Sequence, residues 1–275
     1  MADASNLIHR FGATGGGTPV NAYIVEGASG SVVVDSTLTV SDGSALRARV
    51  DELGKPLRGV VITHAHPDHY GGLVALVSGL DIPVFATEGV ASVIRRDDPI
   101  KEQILRPMIG DEWAAERAFP STTVADQEIV RLDGISLRVT DLGPGESPHD
   151  SIWWLEGDDR RQVFSADLAY DRKHCFLADG YHREWLANIE RAHREFPTGV
   201  TLHPGHGLPC GTEALDWQRR YIETFLEAVR GADWSDGEAA RRAIVTRMRE
   251  YLPTDELQFL MELSINPIAE QLGVR

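Results

Sequence analysis

The chain has 275 residues, 42% of them hydrophobic, enough to bury a large core as one layered domain or two small ones. Its 27 Lys and Arg stand against 42 Asp and Glu, a formal net charge of -15. Such a surface repels phosphate backbones and anionic membranes, so the expected partner is a small-molecule substrate, with no nucleic acid and no membrane, and a homo-oligomer left open.

The opening MADASNLIHRFGATGGG carries neither a basic nor an apolar targeting segment, and no later apolar run nears the roughly 20 residues of a membrane span, so a cytoplasmic location is expected. Residues 20 to 34 hold two apolar stretches, VNAYIVEG and SVVVDS, split by the turn-prone Gly27-Ala28-Ser29-Gly30, and read as a strand pair. Residues 41 to 53 have a helical start signal and helical spacing. The strand RGVVIT follows, then GGLVALVSGL as a helix, PVFAT as a strand and EGVASVIRR as a helix. This alternation argues for an α/β layer arrangement. Residues 97–120 break it with two prolines and mixed polarity, and read as an inserted helical excursion. ISLRVTDLGPG, SIWWLEG and RQVFSAD are three strands joined by turns, REWLANIERAHREF a helix, and TGVTLHPGHG a strand running into a loop. From residue 212 the pattern is helical. The expected organisation is a catalytic unit over 1–210, with the insertion at 97–120, and a helical extension over 211–275 packed on it. Cys175 and Cys210 lie outside any C-x-x-C pair and read as free thiols or at most one bridge.

The densest chemistry follows the apolar run Val60-Val61-Ile62, in His64-Ala65-His66-Pro67-Asp68-His69. A strand end fixes the backbone while the loop lets short side chains converge. Imidazole and carboxylate together suit zinc, iron or manganese. A lone histidine is usually ordinary, but three within six residues, framed by a strand and by Gly71-Gly72, point to a metal site. Asp167, after Val163-Phe164-Ser165-Ala166, and His206, in Pro204-Gly205-His206-Gly207, are placed to join it from other strand ends. His203 lies on the strand side and is expected to pack or to support a ligand.

With these residues in place, the sequence resembles metallo-β-lactamase-fold hydrolases. His64-x-His66-x-Asp68-His69 is similar to the family's H-x-H-x-D-H motif, Asp167 to its metal-bridging aspartate, and Pro204-Gly205-His206-Gly207 to its last ligand turn, over roughly residues 18 to 210. The resemblance implies a four-layer αββα sandwich with the site at one edge between the sheets, here with the helical insertion and C-terminal helices added. It implies two divalent ions, zinc first and manganese or iron as alternatives, held by His64, His66, Asp68, His69, Asp167, His206 and one residue of the turn Gly143–Ser151. The family usually has a histidine in that turn. Glu146 keeps the usual distance to the next strand and is favoured; His149 is the alternative.

The implied chemistry is hydrolysis of an ester, thioester, lactone or amide by metal-bound hydroxide, with Asp68 as ligand and as acceptor for the attacking water. The motif set is closest to the glyoxalase II and lactonase types. His174 and Tyr181, in the segment after Asp167, are candidate substrate contacts against the plainer reading of a connecting loop. Residues 97–120 and the C-terminal helices are expected to form a lid carrying Met108, Trp113 and Phe119, or an oligomer interface. The rivals are iron-dependent oxygen or sulfur chemistry of the persulfide dioxygenase kind, and a non-catalytic binding member of the same fold.

Overall fold

Short runs of β-branched residues build two sheets. In the first, β1 (Leu7–Ala13), β2 (Val20–Glu26), β3 (Ser31–Val34), β4 (Leu57–Val61), β5 (Val84–Thr87) and β6 (Thr122–Val124) lie side by side in chain order. The second runs β11 (Thr201–Pro204), β10 (Gln162–Ala166), β9 (Asp150–Leu155), β8 (Ile135–Gly143), β7 (Ile129–Leu132). Pairing is parallel from β3 to β6 and between β10 and β11, and antiparallel elsewhere. This computed structural model describes residues 6–157 and 161–275; the first five residues of the opening segment lie outside them.

The strand period of two decides the layers. Along β2, Tyr23 and Val25 join Val32, Val34 and Val61 against Val139, Trp153 and Phe164 of the second sheet. The alternate residues Ala22 and Ile24 join Val33, Val60 and Ile62 on the outer face. That face is covered by α1 (Val40–Glu52), α3 (Leu73–Leu76) and α4 (Glu88–Ile109), through Leu46, Leu73, Val90 and Ile94. The outer face of the second sheet packs on α5 (His182–Glu195), α6 (Glu213–Gly231), α7 (Gly237–Tyr251) and α8 (Gln258–Gln271), through Trp185, Phe225, Met248 and Ile265. The architecture is the four-layer αββα sandwich. Because the sheets are buried on both faces, their strands read as near-continuous apolar runs.

The structure differs from the sequence reading in three places along the helices and at the sheet edges. The stretch 71–80, read as one helix, forms only the single turn α3, after another single turn, α2 (Pro67–Tyr70), that carries the end of the histidine motif, because the chain there threads a backbone-tight gap. A Cβ on Gly71 would stand 2.2 Å from the Leu38 carbonyl oxygen, and one on Gly43 in α1 2.2 Å from that of Gly72. Helix α4 runs unbroken through Pro99 to Ile109, so the first half of the supposed insertion continues it. Proline inside a helix costs about 3 kcal/mol. Here the guanidinium of Arg117 binds Asp98 and Glu102 on either side of Pro99 and lies 3.7 Å over the Trp113 ring, holding the helix to the body. Strands β1, β6 and β7 carry mixed polarity at sheet edges and were not expected.

The Gly43–Gly72 approach predicts that Gly43→Ala, although helix-favouring, destabilises the protein by about 2 kcal/mol through overpacking. That corresponds to a melting temperature lower by roughly 5 °C in a calorimetric scan. An unchanged or raised melting temperature would contradict the contact.

Candidate metal centre

The two sheets are stitched together at one edge, and the stitching carries the site. The Ser151 N–H and hydroxyl both donate to the Thr63 carbonyl, at 2.9 and 2.7 Å, tying β9 to the end of β4. On the other side, the Asn21 N–H donates to the Gly205 carbonyl at 2.7 Å, and Asn21 Nδ2 and Tyr23 Oη donate to that of Pro204. Ala166 turns through a positive φ of 45°, which lifts Asp167 off the end of β10. A Cβ on Gly205 would lie 2.0 Å from Asp167 Oδ1, so only glycine lets the β11 loop close over that carboxylate.

Seven side chains expected from the sequence meet here. Three donor groups form within 4.8 Å: His64, His66 and Glu146; His64, His69 and Asp167; Asp68, His69 and His206. Asp167 links them, with Oδ2 3.2 Å from His206 Nε2 and 3.9 Å from His64 Nε2, and Oδ1 3.5 Å from His69 Nε2. Glu146 Oε2 lies 2.7 Å from His66 Nδ1 and 3.6 Å from His64 Nε2. Asp68 Oδ2 lies 3.4 Å from His206 Nε2. Six of the seven residues are buried; Asp68 keeps 14% of its side chain exposed.

The outer nitrogen of each imidazole is anchored on an acceptor away from the cluster. His69 Nδ1 faces Asp35 Oδ2 at 2.8 Å, His66 Nε2 faces Asp179 Oδ2 at 3.0 Å, and His206 Nδ1 faces the Pro19 carbonyl. The Thr63 hydroxyl donates to Asp35 at 2.8 Å, so its oxygen accepts from His64 Nδ1 at 3.0 Å. With the outer N–H groups so committed, four inner nitrogens point lone pairs at carboxylates, a repulsive arrangement unless cations lie between them. The buried atoms His64 Nε2, His69 Nε2, Glu146 Oε2 and Asp167 Oδ1 accordingly have no hydrogen-bond partner; the 2.7 Å approach of Glu146 to His66 lacks hydrogen-bond geometry. These residues fit divalent metal.

The electrostatics agree. Burial pushes the Glu146 carboxyl up to about 8 although His66 pulls it down. Burial opposes the His69 cation, yet Asp167, Asp35 and Asp68 lift it to about 9. His206 is raised against burial by Asp167, and His66 by Glu146. Asp68 and Asp167 are held low against burial, Asp68 by His69 and Asp167 by His206. His64 is lowered by burial and by His69. The carboxylates therefore recruit protons onto His66, His69 and His206, where a metal would otherwise compensate them, and not onto His64.

The turn before β9 places Glu146, not His149, in the cluster. Asp150 accepts the Glu146 N–H at 2.6 Å and the Ser147 hydroxyl, closing the turn, and Tyr170 Oη donates to Glu146 Oε1 at 3.0 Å. His149 faces outward, 2.7 Å from Asp141 Oδ1, with its ring over Gly89. His174 is fully buried, its ring nitrogens facing Tyr221 Oη at 2.8 Å and the Thr254 carbonyl at 3.1 Å, so it fastens the loop, as the plainer reading of this segment has it. Tyr181 is partly exposed just before α5, two residues from Asp179. His203 packs between Tyr23 and Phe164 with Nε2 on Gln162. Of the supposed lid groups, Trp113 is buried and Phe119 packs on the core; Met108 alone of the three is exposed.

Sequence reasoning missed Asp35, Tyr170 and Asp179. Asp35 carried a signal, following Val32-Val33-Val34 as Asp167 follows its strand. Asp179 meets a partner 113 residues away, and no local pattern reveals such a pair.

Two sheets between helices, with a histidine and carboxylate nest at one open edge, define a class of metal-binding αββα proteins. Residues 15–211 match the family model of the metallo-beta-lactamase superfamily, and the chain belongs to that superfamily. It is 22% identical over 244 residues to the linear primary-alkylsulfatase of a Pseudomonas species, covering 76% of this chain and 44% of that one. It is 23% identical over 149 residues to the hydroxyacylglutathione hydrolase of Albidiferax ferrireducens, covering 54% and 49%. The chain thus spans less than half the length of either relative. A beta-lactamase domain protein from Burkholderia ambifaria shares the fold with a TM-score of 0.69 at 19% identity, over 98% of this chain and 88% of that one. Among the described residues no helix is long and apolar enough to cross a membrane.

Proposed function

We propose that the protein is a metal-dependent hydrolase of small molecules carrying an ester, thioester, lactone or amide bond. The observation that carries this reading is Asp167, whose two oxygens face His64, His69 and His206 at once and so join two donor sets into one centre. His64, His66 and Glu146 would hold one ion; Asp68, His69 and His206 the other. Each set offers two imidazoles and a carboxylate, which suits zinc, with manganese or iron as alternatives. Bound there, divalent cations lower the pKa of water toward neutrality and polarise the oxygen of the bond to be split.

The chain's own groups do the rest. Tyr170, whose phenol burial drives well above its ordinary value, stays protonated and keeps Glu146 Oε1 occupied, leaving Oε2 for the centre. Asp68, the one partly exposed member, is placed to accept the proton of an attacking water. The likeness to an alkylsulfatase supports including sulfate esters among the substrates. Net charge and the unpaired Cys175 and Cys210 support a cytoplasmic protein with no nucleic-acid or membrane partner.

The test is to strip the protein with a chelator, then assay it with zinc, manganese or iron(II) restored, on one ester, thioester, lactone, amide and alkyl sulfate each. Hydrolysis lost on stripping and restored by metal is the expected result. Turnover indifferent to chelation, or oxygen uptake with iron and no hydrolysis, would refute the reading.

A further inference from the structure

The turn that presents His206 is fixed through its carbonyls, and one residue holds most of them. The His206 carbonyl accepts from the Asp171 N–H at 2.9 Å. The other three carbonyls from Pro204 to Gly207 all accept from Asn21: its N–H reaches that of Gly205 at 2.7 Å, and its Nδ2 those of Pro204 and Gly207 at 2.9 and 2.8 Å. Asn21 lies on β2, is buried, and precedes Tyr23, whose hydroxyl also donates to the Pro204 carbonyl at 2.7 Å.

The Asn21 amide can point only one way. Arg10 Nη1 donates to Asn21 Oδ1 at 2.8 Å, and a guanidinium has no acceptor, just as the two peptide carbonyls on the other side have no hydrogen to give. Both amide hydrogens are thus committed to the turn. Gly12, paired with Asn21 across β1 and β2, leaves Arg10 its route, since a Cβ there would stand 2.8 Å from Nη1.

The turn is pressed against donor atoms. A Cβ on Gly205 would stand 2.7 Å from His69 Cε1 as well as against Asp167, and His206 Nε2 faces Asp167 and Asp68 at 3.2 and 3.4 Å. Glu146 and His66 are held instead by Asp150, Tyr170 and Asp179, none of which touches Asn21.

We propose that Asn21 is a positioning residue for one half of the metal centre: its amide, oriented by Arg10, sets the His206 turn and with it the affinity of the Asp68, His69 and His206 donor set. The proposal rests on the metal-dependent reading above and names a group outside the donor cluster that governs one subsite and not the other. Asn21→Asp separates hydrogen bonding from shape. The carboxylate has the same outline and pairs with Arg10, but its second oxygen would face two carbonyl oxygens with no hydrogen between them. A residue that only filled space would tolerate the change.

The test titrates zinc into the stripped full chain against a chelating indicator. Asn21→Asp and Asn21→Ala should weaken one zinc site at least ~10-fold, the lower end for losing a supporting group, and leave the other unchanged. Val229→Ala, a cavity in the buried face of α6, should lower the melting temperature and move neither affinity. In a His206→Ala background, Asn21→Asp should cost no further affinity, because the side chain it positions is gone. Should the Asn21 variants fail to fold, Arg10→Gln, altered on the exposed side of the amide, should still weaken the same site about threefold, the effect of one weakened hydrogen bond. Unchanged zinc affinities in the folded variants, equal loss at both sites, or a loss that persists without His206 overturns the proposal. Should the wild type take up no zinc, the metal reading fails by itself, and hydrogen–deuterium exchange of the metal-free chain judges Asn21. Exchange over residues 202–210 about tenfold faster in Asn21→Asp, with β4 unchanged, supports its hold on the turn, and equal exchange overturns it.

Discussion

Asp167→Asn is expected to lower kcat/KM by about 10^3-fold and, on the proposed two-ion centre, to leave the protein holding roughly one metal ion. Asparagine keeps the size and one oxygen of aspartate but removes the charge. In the wild type that charge faces three imidazoles at 3.2 to 3.9 Å, within a cluster where Glu146 and Asp68 are the other carboxyl groups. Without it, two divalent cations would repel each other across a neutral amide, and the second site should empty first. Electrostatic activation by bound metal is worth several kcal/mol, and about 4 kcal/mol corresponds to the stated loss in rate. Metal analysis of the purified variant and steady-state kinetics on its best ester decide the matter. Because Asp167 is buried against His69 and His206, melting curves with and without metal separate a folding defect from a loading defect. Two tightly held ions with wild-type kinetics in the variant would remove the bridge from the mechanism.

The residues that gather in the cluster are easier to pick out of the sequence than the residues around them, and the reason is physical. His64, His66, Asp68 and His69 are adjacent in the chain, and Asp167 and His206 each end an apolar strand, so local pattern and strand grammar suffice to find them. The sandwich followed from resemblance to a family, while the strand alternation by itself argued only for α/β layers. Asp35, Asp179 and Tyr170 act across the gap between sheets, where contacts depend on how elements pack and not on their spacing. The edge strands β1, β6 and β7 owe their pairing to neighbours already in place, which outweighs their weak intrinsic pattern. Pro99 misled in the same way: a breaker by local rule, it is tolerated because Arg117 clamps the helix from outside. Met108, Trp113 and Phe119 fall within twelve residues, yet burial separates them into one surface group and two core groups.

Glu146→Ala and His149→Ala should behave oppositely, although the residues are three apart in one turn. Glu146 is buried, with Oε2 turned to His64 and His66 and Oε1 held by Tyr170. Its loss deletes one of the few charged donors at that subsite and strands the Tyr170 hydroxyl. Metal affinity there should fall by at least ~100-fold, the upper end for losing even a supporting group, and activity should follow. His149 is partly exposed and pairs with Asp141 on the outer side of the turn. Its replacement should cost at most about 1 kcal/mol of stability and leave metal content unchanged. Glu146→His adds a discriminating case. It restores a neutral nitrogen donor of the kind the family usually has, but removes a negative charge and leaves Tyr170 without its carboxylate acceptor. Zinc should then be retained better than in Glu146→Ala, while manganese, which favours oxygen donors, should be lost as in the alanine variant. Competition titrations with a chelating indicator give both affinities for each variant. Loss of metal on replacing His149, with Glu146→Ala unaffected, would require the turn to rearrange on loading and would return the ligand role to the histidine.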